Sequence, residues 1–305
     1  MTAITLLEAS KQLDNPRKRA ALQLYADTYQ PTRVMGFVPA EPGGVLSWTV
    51  ESTLGTAGGR AIGSDFTADN GTFKPQKAIA AIYGGKVQVD RAIRTTNPTI
   101  VPSLKANKVR GFARQWVKDM FEGQGGSSLR GISHWITNDY TGQAIDAAGA
   151  VITMALMEQL YDKMNVIPGQ TYFYMTQTPF LALNALSRTN GTGQQNIVYA
   201  QNQFGSRVPF YNNVEIVVLK DAVGADILST VETSAGAHTG GILTSVYGVT
   251  YGDDTFTGFQ ASEMVFIDFA NDTNFENFTM EHIAGVGPKV PRCIARLYDV
   301  KNALT

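Results

Sequence analysis

The chain has 305 residues, 44% of them hydrophobic and 17% charged, with a formal net charge of −1. That length accommodates one large domain or two ordinary ones around a buried core, and the charge supplies no bulk positive field for nucleic-acid binding. One cysteine, Cys293, excludes an intrachain disulfide framework; neither a signal peptide nor an apolar run of the roughly 20 residues a membrane span needs is expected, so the protein is expected to be soluble.

Residues 1–33 read as a helix-forming arm. Leu6, Leu7 and Leu13 pack one face early, and Leu22, Leu24 and Tyr25 recur after the basic run Arg17-Lys18-Arg19. Asn15-Pro16 makes a break or a helix start between the two pieces. The basic run is either a solvated face or a contact with a polyanion.

From residue 34 the pattern changes. Ser47-Trp48-Thr49-Val50-Glu51 and Lys86-Val87-Gln88-Val89-Asp90 alternate as strands do. Between them Gly55, Gly58, Gly59, Gly63, Asp65, Asn70-Gly71 and Pro75 make a long, turn-rich insertion poor in apolar residues. It reads as a two-stranded excursion, and an isolated hairpin is marginal in water. A neighbouring subunit is the economical surface for it to lie on.

Residues 98–122 carry the strongest periodicity. Leu104, Val109, Phe112, Ala113, Trp116, Val117 and Met120 fall on one stripe of a helix. Pro98 suits its first turn, and Gly123 is expected to stop it in a left-handed conformation. A glycine-rich link follows. Residues 148–166 give a second helix, ended by Pro168-Gly169, then Thr171-Tyr172-Phe173-Tyr174-Met175 a buried strand. Thr178-Pro179 opens a third helix to about Arg188. Helix, strand, helix is the grammar of a mixed α/β unit. Residues 189–206 read as a long polar loop, either functional or mobile. Further strands are expected over 214–219, 241–251, 264–269, 278–283 and 292–300, the last two separated by Gly285-Val286-Gly287-Pro288.

The residues carry little chemistry. His134, His238 and His282 lack a second ligand at metal spacing. Gly84-Gly85-Lys86 resembles the tail of a phosphate loop, but Ala80 and Val87 stand where Gly and a hydroxyl are required. No GxSxG elbow is present. Cys293 reads as a packing residue in an alternating strand, and Asp253-Asp254 as a turn. No catalytic, metal or cofactor site is expected.

The order of these parts carries a resemblance. The long helix ends in Glu122-Gly123-Gln124-Gly125-Gly126 and leads through Ser128-Leu129-Arg130-Gly131-Ile132 to Thr141-Gly142-Gln143-Ala144-Ile145. With the opening Leu6-Leu7-Glu8-Ala9-Ser10-Lys11 and the phrase Gly205-Ser206-Arg207-Val208-Pro209-Phe210, the chain resembles the major capsid proteins of tailed bacteriophages, of α+β class with the Hong Kong 97-type fold.

The resemblance implies an N-terminal arm (1–43), an extended loop (44–92), a peripheral domain with the spine helix (93–147 and 271–305) and an axial domain (148–270). It implies pentamers and hexamers in a shell around double-stranded DNA, assembled in a bacterial host cytoplasm with a portal and either with a separate scaffolding protein or without one, and with a decoration protein in some members. The extended loop of one subunit is expected to lie over the next and complete its surface by edge pairing. Trp48 and Phe66 are candidate anchors there, Trp48 being equally a candidate hinge-core residue; Arg60, Lys74 and Lys77 are further candidate contacts. Arg17, Lys18, Arg19, Lys105, Lys108 and Arg114 face the lumen, a neighbour or water. Some family members form a lysine–asparagine cross-link; Lys74 or Lys77 with Asn271, Asn274 or Asn277 would take those roles, although nothing in the spacing requires it. Two alternatives stay open: a nanocompartment shell enclosing protein cargo, and a soluble α/β enzyme or carbohydrate-binding module.

Overall fold

The computed structural model describes residues 4–11, 16–66, 70–97, 99–189, 197–201, 207–232, 242–268 and 275–304. In chain order its elements are β1 (Ile4–Thr5), α1 (Leu6–Lys11), α2 (Pro16–Thr28), α3 (Gln30–Val34), β2 (Gly36–Pro39), β3 (Val45–Thr53), β4 (Thr72–Ile79), β5 (Ala81–Asp90), α4 (Arg91–Thr96), α5 (Ile100–Glu122), α6 (Ile132–Asn138), β6 (Ala144–Asp146), α7 (Met154–Asp162), β7 (Thr171–Met175), α8 (Gln177–Thr189), β8 (Ile197–Gln201), β9 (Arg207–Tyr211), β10 (Val214–Val218), β11 (Leu243–Thr250), β12 (Phe256–Asp268), β13 (Phe275–Pro288) and β14 (Ile294–Lys301). Single 3-10 turns fall at Thr141–Gln143 and Pro291–Cys293.

The spine is α5, whose 23 residues reach about 34 Å. Val109, Phe112, Ala113, Trp116, Val117, Met120 and Phe121 are its buried stripe, while Leu104 is half-buried. One side of that stripe receives α2: the Tyr25 ring lies 5.4 Å from Phe112 and 6.3 Å from Trp116. The basic arm thus packs by its apolar face against the chain's own spine, while Arg19 stays exposed. Leu13 lies outside the described residues, as does Pro98.

Two sheets organise the remainder. A five-stranded sheet has the order β1-β2-β12-β13-β5, and a seven-stranded one the order β6-β14-β11-β7-β10-β9-β8. The first carries α2 and α5. The second encloses its own core, including Ile152, Leu160, Phe173, Leu183, Val246 and Leu297. Phe121, at the end of the spine, joins the two: its ring lies 5.0 Å from Tyr174 and 5.1 Å from Tyr247.

Several expectations are corrected. Gly123 ends α5 in extended backbone (φ −58, ψ 135), not a left-handed one; positive φ falls instead on Gly125 and Gly126. Here glycine answers close approach: a Cβ at 123 would sit 2.3 Å from the Leu129 carbonyl oxygen and 2.5 Å from that of Asp119. The helix expected over 148–166 shrinks to α7. A turn with positive φ at Ala148 and Gly149 holds the preceding segment to β14, where Ala147 N–H donates to Tyr298 and Gly149 N–H to Asp299. Thr153 then caps α7, accepting from Leu156 N–H at 3.3 Å. Beyond Asp162 the chain leaves the helix and Asn165 N–H donates to the Arg292 carbonyl.

The polar stretch 189–206 contains a strand, β8, paired antiparallel with β9; residues 190–196 and 202–206 lie outside the described residues. Gly285-Val286-Gly287-Pro288 continues β13 instead of interrupting it. Gly285 lies under the Phe259 ring, with a hypothetical Cβ 2.4 Å from it, so the glycine serves sheet-on-ring packing. Helix α8 begins at Gln177, which places Thr178 inside its first turn, and Cys293 closes a 3-10 turn before β14.

Candidate assembly surfaces

β3 and β4 form a separate two-stranded hairpin, paired from Val45↔Ile79 to Thr53↔Thr72. Its alternation decides what each face meets. Leu46 is buried and Trp48 and Val50 are half-buried, while Ser47, Thr49 and Glu51 are exposed, as are Phe73, Pro75 and Lys77 opposite them. The base of the inner face rests on the chain's own body. The Trp48 ring lies 5.5 Å from that of Trp135, and Tyr140 donates its hydroxyl to the Pro288 carbonyl at 3.0 Å.

One carboxylate ties hairpin to body. Asp139, the residue after α6, accepts from Gln76 Nε2 at 3.2 Å and pairs with Lys74 at 3.6 Å and Arg130 at 3.3 Å. Lys74, a candidate inter-subunit contact, is therefore held within the chain, although its side chain is 57% exposed. Lys77 points outward and is exposed. Beyond Thr53 the hairpin leaves the body: every residue from 51 to 66 is exposed. Arg60 and Phe66 meet there, the guanidinium 5.4 Å from the ring, and Arg60 Nη1 donates to the Ser64 carbonyl at 2.9 Å.

Exposure of large apolar groups concentrates here. Leu54 is 78% exposed and both Phe66 and Phe73 are 64% exposed, with Ile62 fully in water. Ile79 and Ile82 are exposed at the other end of the hairpin, where β4 passes into β5. Several large apolar side chains exposed on a protruding element mark it as an interaction surface. Of these only Phe66 was singled out from sequence; Phe73 and Ile79 were legible as the outward members of the alternation Thr72–Ile79. Asp139 carried no local signal, since two of its partners lie on β4 and the third in the link before α6.

The basic candidates are divided by the structure. Lys105 Nζ lies 3.7 Å from the Phe278 ring centroid. Lys108 crosses β5 at Gly85. Arg114 pairs at 3.3 Å with Asp221, whose side chain is only 5% exposed, linking the spine to the loop after β10. Arg19 is exposed at the start of α2, and the side chains of Arg17 and Lys18 lie outside the described residues. Among the described residues, Lys105, Lys108 and Arg114 thus each meet a different part of the chain.

No group of three or more His, Cys, Asp or Glu side chains able to hold a metal is found among the described residues, and none of the described helices is long and apolar enough to cross a membrane. Cys293 is buried and its thiol pushed up to about 12 by that burial. His282 is enclosed and pushed down to about 4 by desolvation; His134 is half-buried and His238 lies outside the described residues. Asp253 and Asp254 form the turn between β11 and β12. Asn277 is buried on β13 opposite Gln88, and Asn271 and Asn274 lie outside the described residues.

No family model and no curated protein matches the sequence. Solved structures do match over most of the chain. An encapsulin from Synechococcus elongatus PCC 7942 superposes with TM-score 0.65 at 11% identity, covering 90% of this chain and 89% of its own. The capsid of cyanophage A-1(L) gives TM-score 0.59 at 9% identity, over 90% and 93%. The capsid of a GTA particle gives 0.58 at 11% identity, over 89% and 90%. At such identities the likeness is one of fold, and the fold is the α+β Hong Kong 97 type.

Proposed function

We propose that the chain is the repeating subunit of a closed protein shell, the major capsid protein of a tailed phage, which packs into pentamers and hexamers around double-stranded DNA. The observation that carries this reading is the protruding hairpin: a two-stranded element with Leu54, Ile62, Phe66 and Phe73 in water. An isolated hairpin gains little stability unless something covers it, and a second copy offers a repeating surface. A head-to-tail contact that closes makes a ring, and rings sharing edges make a shell. Several weak contacts per subunit suffice, because each raises the effective concentration for the next.

The near-neutral chain suits a container whose contents must not adhere to its wall, since each neutralised phosphate adds affinity. A division into arm, extended loop, peripheral domain and axial domain follows from the same reading, with a scaffolding protein and a portal as partners during assembly in the host cytoplasm. Trp48 then serves the hinge of the loop while Phe66 and Arg60 serve its reach. Negative-stain microscopy of the purified chain tests this: shells of uniform diameter are expected, and a solitary particle of about 33 kDa at all concentrations would overturn it. The similarity to an encapsulin favours a second reading, a compartment enclosing protein; particles carrying a co-purifying protein and no nucleic acid would select it.

A further inference from the structure

Two carboxylates and one guanidinium meet where the spine ends. Glu122 is the last residue of α5, so its carboxylate stands at the negative end of the helix dipole, where a cation is the favoured occupant. From there it crosses to the segment after β10 and accepts the Ser229 N–H. Three residues on, Glu232 rejoins the seven-stranded sheet, its N–H donating to the Leu243 carbonyl at 3.1 Å. The Glu232 carboxylate pairs with Arg296 of β14 at 3.2 Å and accepts from the Ser245 hydroxyl at 2.7 Å. Arg296 also donates to Ser133 of α6 at 2.7 Å. One polar knot thus ties the spine, α6, the segment 229–232, β11 and β14. It lies beside Phe121, the ring that joins the two sheets.

The knot is unbalanced. Arg296 and Glu232, with side chains 16% and 10% exposed, neutralise each other. Glu122 is a second carboxylate facing the same guanidinium. Lys118, one turn back on α5 and exposed, is the other cation that faces it. Tyr247 of β11 faces it as well, and burial keeps that hydroxyl protonated. Among the described residues, Glu232, Arg296, Lys118 and Tyr247 are the titratable groups acting on Glu122 or acted on by it. Desolvation above all, and then Glu232, push the Glu122 carboxyl up from its ordinary 4.5, against the pull of the Ser229 N–H, Lys118 and Arg296.

We propose that Glu122 is a proton-operated brace between the spine and the seven-stranded sheet. Charged, it repels Glu232 and loosens the segment that carries Ser229 and Glu232. Protonated, it leaves Arg296 matched by Glu232 alone, and the joint tightens. The Ser229 contact survives the proton, because the acid's other oxygen still accepts. The folded chain holds this proton to a higher pH than the unfolded one. The joint therefore gains stability as the pH falls through the folded value toward 4.5. This goes beyond the shell reading and does not depend on it, since the joint lies within one subunit.

Buried His282 acts in the opposite sense over the same range, so the test uses unassembled subunits in a His282→Gln background. Adding Glu122→Gln, which keeps an acceptor for Ser229 and removes the charge, is expected to raise the folding constant several-fold at about pH 7.5, with the gain vanishing toward pH 4.5. A loss of stability of equal size at every pH would mark Glu122 as a merely structural acceptor and overturn the proposal. Amide exchange of 226–232, corrected for its intrinsic pH dependence, reads the joint directly. Protection is expected to be several-fold higher at about pH 5 than at about pH 7.5 with Glu122 present, and equal at both with Glu122→Gln; equal protection in both proteins would overturn the brace. Carboxyl NMR of the unmodified chain, with the Glu122 signal assigned by its loss in Glu122→Gln, needs no altered fold. Its midpoint is expected above 4.5 and to fall in Glu232→Gln; a midpoint at or below 4.5, or one indifferent to Glu232→Gln, would refute the coupling.

Discussion

His282 lies on β13 beneath the arm helix, and the described side chains packed against it are uncharged. The rings of Tyr25, Phe37 and Phe112 surround it at 5.8, 6.4 and 6.1 Å, and its Nε2 reaches Gln260 at 3.5 Å. Burial pushes its pKa down to about 4 from the usual 6.5. Between those values the unfolded chain binds a proton that the folded one does not, so stability is full above pH 6.5 and falls as the pH drops toward 4. The loss amounts to about 2 kcal/mol by pH 5 and about 3 kcal/mol by pH 4. Urea unfolding of the wild type and of His282→Gln across that range measures the difference, which the variant should lack. Arg296 poses the opposite problem, a buried cation that must be matched. It pairs with Glu232 at 3.2 Å and donates to Ser245 at 2.9 Å and Ser133 at 2.7 Å. Removing one partner of such a pair strands the other. Arg296→Met should cost about 3–5 kcal/mol in urea unfolding, and the double variant Arg296→Met/Glu232→Met should recover more than half of that.

Elements show which signals in a sequence survive folding. Gly111 sits exposed in α5, with nothing within 4 Å of where a Cβ would be. Gly111→Ala should raise stability by about 1 kcal/mol through helix propensity alone. Gly123→Ala, pressed between two backbone carbonyls, should lower it by about 1–3 kcal/mol. Thermal melts of unassembled subunits separate the two signs. The spine was legible because its apolar period runs through 23 residues, too many for a loop to imitate. The shorter pattern at 148–166 misled for a related reason: Val151, Ile152 and Val166 bury apolar surface from loops that β14 and Arg292 hold in place. β8 escaped notice because four of its five residues are exposed, leaving no buried face to impose a period. Gly285 and Gly287 read as punctuation, yet they lie in mid-strand because Phe259, Leu46 and Trp48 press on the sheet there. A glycine that terminates and one that makes room look alike until the third dimension supplies the neighbour.

On the scale of the whole molecule, the hairpin separates what the chain needs to fold from what it needs to assemble. The excursion itself was legible from its turn residues and sparse apolar content. Its latch at Asp139 was not, because Lys74 and Gln76 reach it from β4, more than sixty residues earlier in the chain, to join the nearby Arg130. The base of the hairpin touches the body through Leu46 and Trp48 and through the latch at Asp139, whereas residues 54–66 are all exposed. Their removal should therefore leave the folding equilibrium nearly untouched. Replacing 54–71 by Asn-Gly would close Thr53 onto Thr72, already paired and joined through their hydroxyls at 2.7 Å, with a turn that suits a two-residue hairpin. Surface changes of this kind stay within about 0.5 kcal/mol, which for a chain this size shifts the midpoint by roughly 2 °C or less. The shortened chain should melt like the parent yet form no particles under the microscope, because the apolar groups that reach a neighbour are gone while the body is intact. Normal particles from it would place the adhesive surface elsewhere, and a melt lowered by ten degrees or more would mean that the tip folds back onto its own subunit.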